Sequence, residues 1–363
     1  MHPALPRHIA TLDVLRVAAA LAVLAYHYLY RGALAPGFTT IGFETGHVLG
    51  LGIEHLYLGV HLFFTVSGFV IMASVADRGA LAFAIARFVR LWPVFVMCAT
   101  ITLAVLAFAD EPAMPSGLAQ WLANLTFVAP AFGEPFADGV YWSIVVELVF
   151  YAWVALMIAV GVLPRHVLAF TTAWLVAIVG NELILESGAL RFGLVTRFGP
   201  WFIFGILMHR ALTRGGGRWL GPLLLATLAM AMHNVADEQL EVAAKYAVAP
   251  NVPAVLTANA LLLLAFLAAL QWRYRLPATG WLAAAGALTY PLYLLHQNLG
   301  YVALNRLAPV IGETASVALV SVAAIALAWL VSERFDRPAR RALGRLIEAV
   351  LSAIPSFGIR RTA

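Results

Sequence analysis

Charge is what this chain has least of. Only 11% of its 363 residues are Asp, Glu, Lys or Arg, against about 25% in an ordinary soluble domain. With 63% hydrophobic residues and a mean hydropathy of +0.89, that scarcity excludes a soluble globular core. Lysine is nearly absent: Lys245 stands alone beside 22 arginines. The net charge of +5 therefore reads as membrane topology and anion contacts, not as nucleic-acid binding. Cysteine is limited to Cys98, inside an apolar stretch, which excludes an internal disulfide and gives no basis for a redox role. A cleavable signal is not expected, because Asp13 and Arg16 interrupt the first apolar run and no small-residue cleavage site follows it. The chain also lacks an internal repeat, a low-complexity linker and a second soluble domain.

What is there is a series of apolar windows of about 20 residues. They predict an all-α polytopic membrane protein, a bundle of about ten transmembrane helices with both termini cytoplasmic. The spans fall near 11–30, 53–75, 89–109, 141–163, 167–185, 196–212, 218–234, 252–271, 281–304 and 315–333. Segment 118–131 is too short to span and reads as interfacial or re-entrant. Residues 1–340 form the transmembrane domain, and 341–363 a basic cytoplasmic tail. With the N-terminus inside, 17 basic residues face the cytoplasm and five (Arg31, Arg191, Arg197, Lys245, Arg306) face outward. That bias follows the positive-inside rule. The cytoplasmic set includes Arg7, Arg360 and Arg361, whereas outer segment 110–140 holds Asp110, Glu111, Glu134 and Asp138 and no basic residue.

The first span carries an unusual stripe. Arg16 and His27 are eleven residues apart, which returns them to within roughly 20° of one helical face, about 16 Å apart along the axis. Asp13 precedes Arg16 by three residues on the same side. Ionisable groups inside a bilayer are costly and mark wet cavities where chemistry or transport occurs. Asp13 and Arg16 as a structural pair, or His27 as a hydrogen-bonded core histidine, are the plainer alternatives.

Four further clusters share this character. His61 lies at mid-membrane depth in the second span, where Ser67-Gly68 lets helices approach closely. Arg87 and Arg90 share a face ahead of Pro93, which marks a helix start or a kink. Two guanidiniums there suit phosphate capture, or plain anchoring to anionic lipid. Trp142 and Ser143 open the fourth span, and Glu147 follows without a cation in its own span. His296 ends Tyr290-Pro291-Leu292-Tyr293-Leu294-Leu295-His296 in the ninth, as an interfacial or a functional group.

Taken in order, these motifs resemble the membrane-bound acyltransferases of acyltransferase family 3, which modify sugars on the bacterial cell surface. The resemblance rests on Leu12-Asp13-Val14-Leu15-Arg16 with His27, and on Phe63-Phe64-Thr65-Val66-Ser67-Gly68-Phe69. It continues through Arg87-Phe88-Val89-Arg90-Leu91-Trp92-Pro93, Tyr141-Trp142-Ser143 with Glu147, and the His296 motif. It implies a bacterial inner-membrane enzyme that takes an acyl group, usually acetyl, from acyl-coenzyme A on the cytoplasmic side. The acceptor is a hydroxyl of a glycan or lipid-linked sugar outside, with no tightly bound cofactor and no metal. The family's essential histidine maps onto His27, and its donor-binding arginines onto Arg16, Arg87 and Arg90. Ala86 stands where the family often has a further arginine. Since the chain ends about 30 residues after the last span, it resembles the form without an SGNH-type domain.

On this reading His27 is the general base that activates the sugar hydroxyl. Glu147 or Asp13 orients its imidazole, and Trp142, Ser143, His61 and His296 contact the acceptor. Direct transfer and an acyl-histidine intermediate both fit. A proton-coupled transporter built on the same ionisable residues is the rival class, with a non-catalytic scaffold as a second rival.

Overall fold

A computed structural model describes residues 5–6, 8–34, 52–75, 78–109 and 114–353; Arg7, Asp110, Glu111, Arg360 and Arg361 lie outside these. The described residues are all helix and connecting turn, without a strand. A helix stands at each of the ten expected spans. These are α1 (Ala10–Tyr26), α2 (Gly59–Val75), α3 (Ala80–Ala109), α4 (Trp142–Ala159) and α5 (Val167–Gly180). After them come α6 (Gly199–Arg214), α7 (Leu220–Tyr246), α8 (Val252–Gln271), α9 (Gly280–Ile311) and α10 (Glu313–Leu330). An eleventh helix, α11 (Arg337–Ala353), continues directly from α10 through a widened turn at Val331–Asp336.

Among the described residues seven helical stretches are long and apolar enough to cross a membrane, and they make this a multi-pass membrane protein. The other three expected spans fall short for visible reasons. Helix α6 has 16 residues, α7 carries His233 and Asn234, and α9 carries His296, Gln297 and Asn298. Apart from His233, which is exposed, those polar groups are turned inward: His296, Gln297, Asn298 and Asn234 are buried.

Helix α9, 32 residues long, lies against α1, α3 and α10. Helix α2 packs most intimately on α6, as Gly68 predicts. A Cβ at Gly68 would meet the backbone of Phe202, and one at Gly205 the backbone of Thr65. Only glycine permits backbones to approach so closely, and in lipid such close packing supplies the association that hydrophobicity cannot.

Three expectations need correcting. Helix α3 begins at Ala80, nine residues before the expected span, so Arg87 and Arg90 belong to its wall and Pro93 lies within it. Proline is tolerated inside membrane-spanning helices, where neighbouring helices and local adjustment can re-satisfy the freed backbone groups. Helix α9 likewise continues through Pro291 and Pro309 to Ile311. The expected boundary between 340 and 341 cuts α11, whose helical run extends to Ala353. Segment 118–131 holds the short helix Leu118–Asn124, too short to span.

Candidate active site

Two cavities occupy the bundle, one towards each end of α1. The first, about 430 Å³, is lined by Asp13 and Arg16 of α1, Ser67 of α2, and Arg87 and Arg90 of α3. Ser143, Glu147 and Tyr151 of α4, Tyr290 and Tyr293 of α9 and Arg340 of α11 complete it. The second, about 330 Å³, is lined by His27, Arg31, His61, Trp142, Glu238 and Lys245. Val60 and Tyr293 border both, so a wall of two side chains divides them.

The first cavity is built for an anion. Four guanidiniums line it, against the carboxylates of Asp13 and Glu147. Asp13 is already occupied, pairing with His8 and standing 3.9 Å from Nη1 of Arg16. Glu147 accepts hydrogen bonds from the Ser67 hydroxyl at 2.9 Å and from the Tyr151 hydroxyl. Arg87 donates to Ser74 at 3.3 Å and lies 5.7 Å from the Phe83 ring centroid. The aromatic faces hold a cation without neutralising it, which leaves the guanidinium charge available. Ser143 sits at the dividing wall, its hydroxyl 2.7 Å from that of Tyr293.

At the other end, α1 runs into a π-helical turn over His27–Arg31, whose hydrogen-bonded ring holds one more residue than an α-helical one, the kind of bulge found at functional sites. Nδ1 of His27 lies 3.0 Å from Nε2 of His296 and 2.9 Å from the Val23 carbonyl. The network fixes the protons. Nδ1 of His296 faces the carbonyls of Tyr293 at 2.9 Å and Leu292 at 3.2 Å. Two lone pairs there demand a donor, so Nδ1 of His296 carries the hydrogen and its Nε2 accepts. His27 therefore donates from Nδ1, and its Nε2 keeps a free lone pair at the edge of the second cavity. That is the state a general base needs.

His296 is held from behind. Tyr28 donates to the His296 carbonyl at 2.7 Å. Two residues on, the Asp138 carboxylate accepts the Asn298 N–H at 2.8 Å, and Asn298 donates its side-chain amide to the Ala137 carbonyl at 3.0 Å. His61 hydrogen-bonds Glu238 at 2.9 Å and packs edge-on against Trp201 at 4.3 Å between ring centroids. Trp142 presents a partly open face to the same cavity, backed by Phe198 at 5.1 Å.

The expected site residues thus divide into two groups. Asp13, Arg16, Arg87, Arg90, Ser143 and Glu147 meet at the first cavity, and His27, His61 and Trp142 at the second. Among the described residues no carboxylate hydrogen-bonds or pairs with His27; the side chain bonded to its ring is that of His296, not of Glu147 or Asp13. His296 is not interfacial: it is buried and borders neither cavity. Sequence reasoning missed Tyr293, Glu238 and Arg340. Glu238 lies in a polar run with Asp237, Gln239 and Glu241 beyond the expected seventh span, and neither it nor Tyr293 nor Arg340 had a signal that local spacing reveals.

The family model for an acyltransferase domain (Acyl_transf_3) matches residues 9–333. The chain belongs to acyltransferase family 3. No curated protein and no solved structure matches it. The acyltransferase assignment covers α1 to α10 and the lining of both cavities apart from His8 and Arg340, and it establishes acyl transfer at a general level. Among the described residues of the acyltransferase, no group of three or more His, Cys, Asp and Glu is placed to hold a metal ion.

Proposed function

We propose that this protein is an O-acyltransferase of the bacterial inner membrane that moves an acyl group, acetyl by preference, from cytoplasmic acyl-coenzyme A to a hydroxyl of a glycan or lipid-linked sugar outside. The observation that carries this reading is the pair of cavities sharing one wall. The arginine-lined cavity suits the coenzyme's phosphates, and the cavity with a free imidazole nitrogen suits a neutral hydroxyl. We read the chain as ten spans with both termini cytoplasmic, because arginine placement agrees with that orientation. The arginine cavity then opens towards the cytoplasm and His27 lies towards the outer surface.

In this mechanism Arg16, Arg87 and Arg90 hold the donor's phosphates by charge-assisted hydrogen bonds. The pantetheine arm extends along α1 so that the thioester reaches the wall at Tyr293. Nε2 of His27 removes the acceptor's hydroxyl proton as the oxygen attacks the thioester carbonyl. The resulting imidazolium is stabilised through Nδ1 by His296, the third-group logic of other acyl transfers. Collapse of the tetrahedral intermediate breaks the C–S bond and releases coenzyme A as its thiolate on the donor side of Tyr293, with its phosphates still held by the arginines. Trp142 supplies an apolar face for a sugar ring, and Glu238, through His61, a hydrogen-bonding edge.

The test is transfer from acetyl-coenzyme A by purified protein in liposomes. His27→Ala and His27→Gln should each lower transfer by roughly 10²-fold or more, the usual contribution of a general base. Donor affinity should hold, because the arginines are in the other cavity. A Gln variant with near-normal transfer would reduce His27 to a structural residue.

A further inference from the structure

Arg340 lies outside the residues that the family model matches, in a helix that composition alone would assign to membrane anchoring. Its surroundings say otherwise. Along α11, Arg340, Leu343, Gly344, Ile347 and Leu351 are partly buried, whereas Arg341, Arg345, Leu346 and Val350 are exposed. At 100° per residue the first group forms one stripe, and α11 packs against α3, the helix that carries Arg87 and Arg90. Arg340 is the one cation on that stripe. Arg341 and Arg345 point away, where lipid headgroups would meet them, and Leu346 and Val350 form the exposed apolar side of an interfacial helix.

The side chain of Arg340 reaches the first cavity beside Arg16, Arg87 and Arg90. Its Nε pairs with Asp336, one helical turn back. That pairing fixes the stem and aims the guanidinium. Among the described residues no acceptor is bonded to its two terminal nitrogens, the pair that grips an oxyanion in bidentate fashion. With Asp13 held by His8, and Glu147 by Ser67 and Tyr151, the cavity has more cation than its own acids answer.

We infer that Arg340 is a fourth phosphate-binding residue of the donor site, and that α11 is therefore part of the enzyme's coenzyme pocket. The inference rests on the acyl-coenzyme A reading of that cavity. Asp336 acts as a positioning residue, holding Arg340 in the direction of the ligand. Because Arg340 enters from the last helix, the pocket is complete only when α11 is seated on α3.

The experiment is calorimetric titration of the full-length protein in detergent with coenzyme A, at low and high salt. Arg340→Gln keeps a hydrogen bond to Asp336 and should weaken binding about tenfold, the contribution of one charge-assisted contact. The Arg341→Gln/Arg345→Gln double variant should bind within twofold of the parent. A second readout does not depend on that stability: Arg340→Cys should be shielded from a charged maleimide by saturating acetyl-coenzyme A, and Arg341→Cys should not. Unchanged affinity in Arg340→Gln together with unshielded Arg340→Cys would overturn the inference and leave the donor reading intact, provided Arg87→Ala/Arg90→Ala binds weakly. Absence of coenzyme A binding by the parent protein would overturn the donor reading, and this inference with it.

Discussion

Replacing His296 by Ala tests the tautomer argument most directly. His27 donates its single Nδ1 hydrogen between the Val23 carbonyl at 2.9 Å and His296 Nε2 at 3.0 Å. Without the second ring, Val23 still orients the imidazole, so the base remains in place. What disappears is the acceptor that stabilises the imidazolium formed in the transition state. A hydrogen bond to a charged group contributes about 1.5–3 kcal/mol, which at about 1.36 kcal/mol per tenfold lowers kcat by roughly 10- to 150-fold. The KM for the donor should not move, since the arginines stand beyond the Tyr293 wall. His296→Gln, whose amide oxygen can accept the same hydrogen, should recover part of the loss. Glu147→Gln should behave in the opposite way and alter donor parameters, because Glu147 faces the arginine cavity. The assay is steady-state acetyl transfer across a pH series, with thermal melting to verify folding. A folded His296→Ala protein with kcat within threefold of the parent, or with a raised donor KM, would refute the histidine pair.

The remaining expectations address the donor site, the topology and the buried Asp138. Arg87→Ala with Arg90→Ala should weaken acyl-coenzyme A binding and make the remainder less salt-sensitive, and the double Lys variant should rescue only in part; titration at two ionic strengths checks this. In a Cys98→Ser background, Ala131→Cys and Gly216→Cys should be labelled from opposite sides, Ala131→Cys from outside, and labelling of both from one side would refute ten spans. Burial pushes Asp138 from 3.8 up to about 7, even with the N–H groups of Val140 and Asn298 bonded to it. The folded state therefore favours the protonated acid, so this contribution is complete below pH 3.8 and is lost as pH rises through about 7. Asp138→Asn should flatten that part of the melting-temperature profile; an unchanged slope would assign it to another group.

The legibility of this chain follows the range of its interactions. Within α1, a fixed helical repeat is enough to put Asp13 and Arg16 together and to set His27 at the far end, so the stripe was readable. Gly68 was readable as a packing residue because lipid leaves a mid-span glycine few other uses. The partner of His27 was not, since His296 lies 269 residues away and no local period encodes which helix will face which. Glu147 looked unpaired for the same reason. Its partners are a serine on another helix and a tyrosine one turn along, both too ordinary in sequence to signal a carboxylate clamp. The start of α3 was misplaced because arginines in a membrane-surface turn look like a loop when hydropathy alone sets the boundary. Arg340 was placed inside the transmembrane domain but not singled out, because it follows the last apolar span among other arginines and nothing local marks it as facing the cavity.

The wall formed by Val60 and Tyr293 also has an electrical meaning. On the proposed orientation, a cavity with polar lining approaches it from each side of the membrane. A transmembrane voltage falls chiefly where water is absent, so the field that elsewhere spreads over about 30 Å of hydrocarbon is focused on these two side chains. A charge that passes Tyr293 then experiences most of the roughly 2.3 kcal/mol that 100 mV exerts on one elementary charge. The hydroxyl proton taken by His27 and the thiolate left on the donor side of Tyr293 then stand on opposite sides of that drop. Turnover in an energised vesicle is therefore coupled to membrane potential, and the same protein in detergent runs without it.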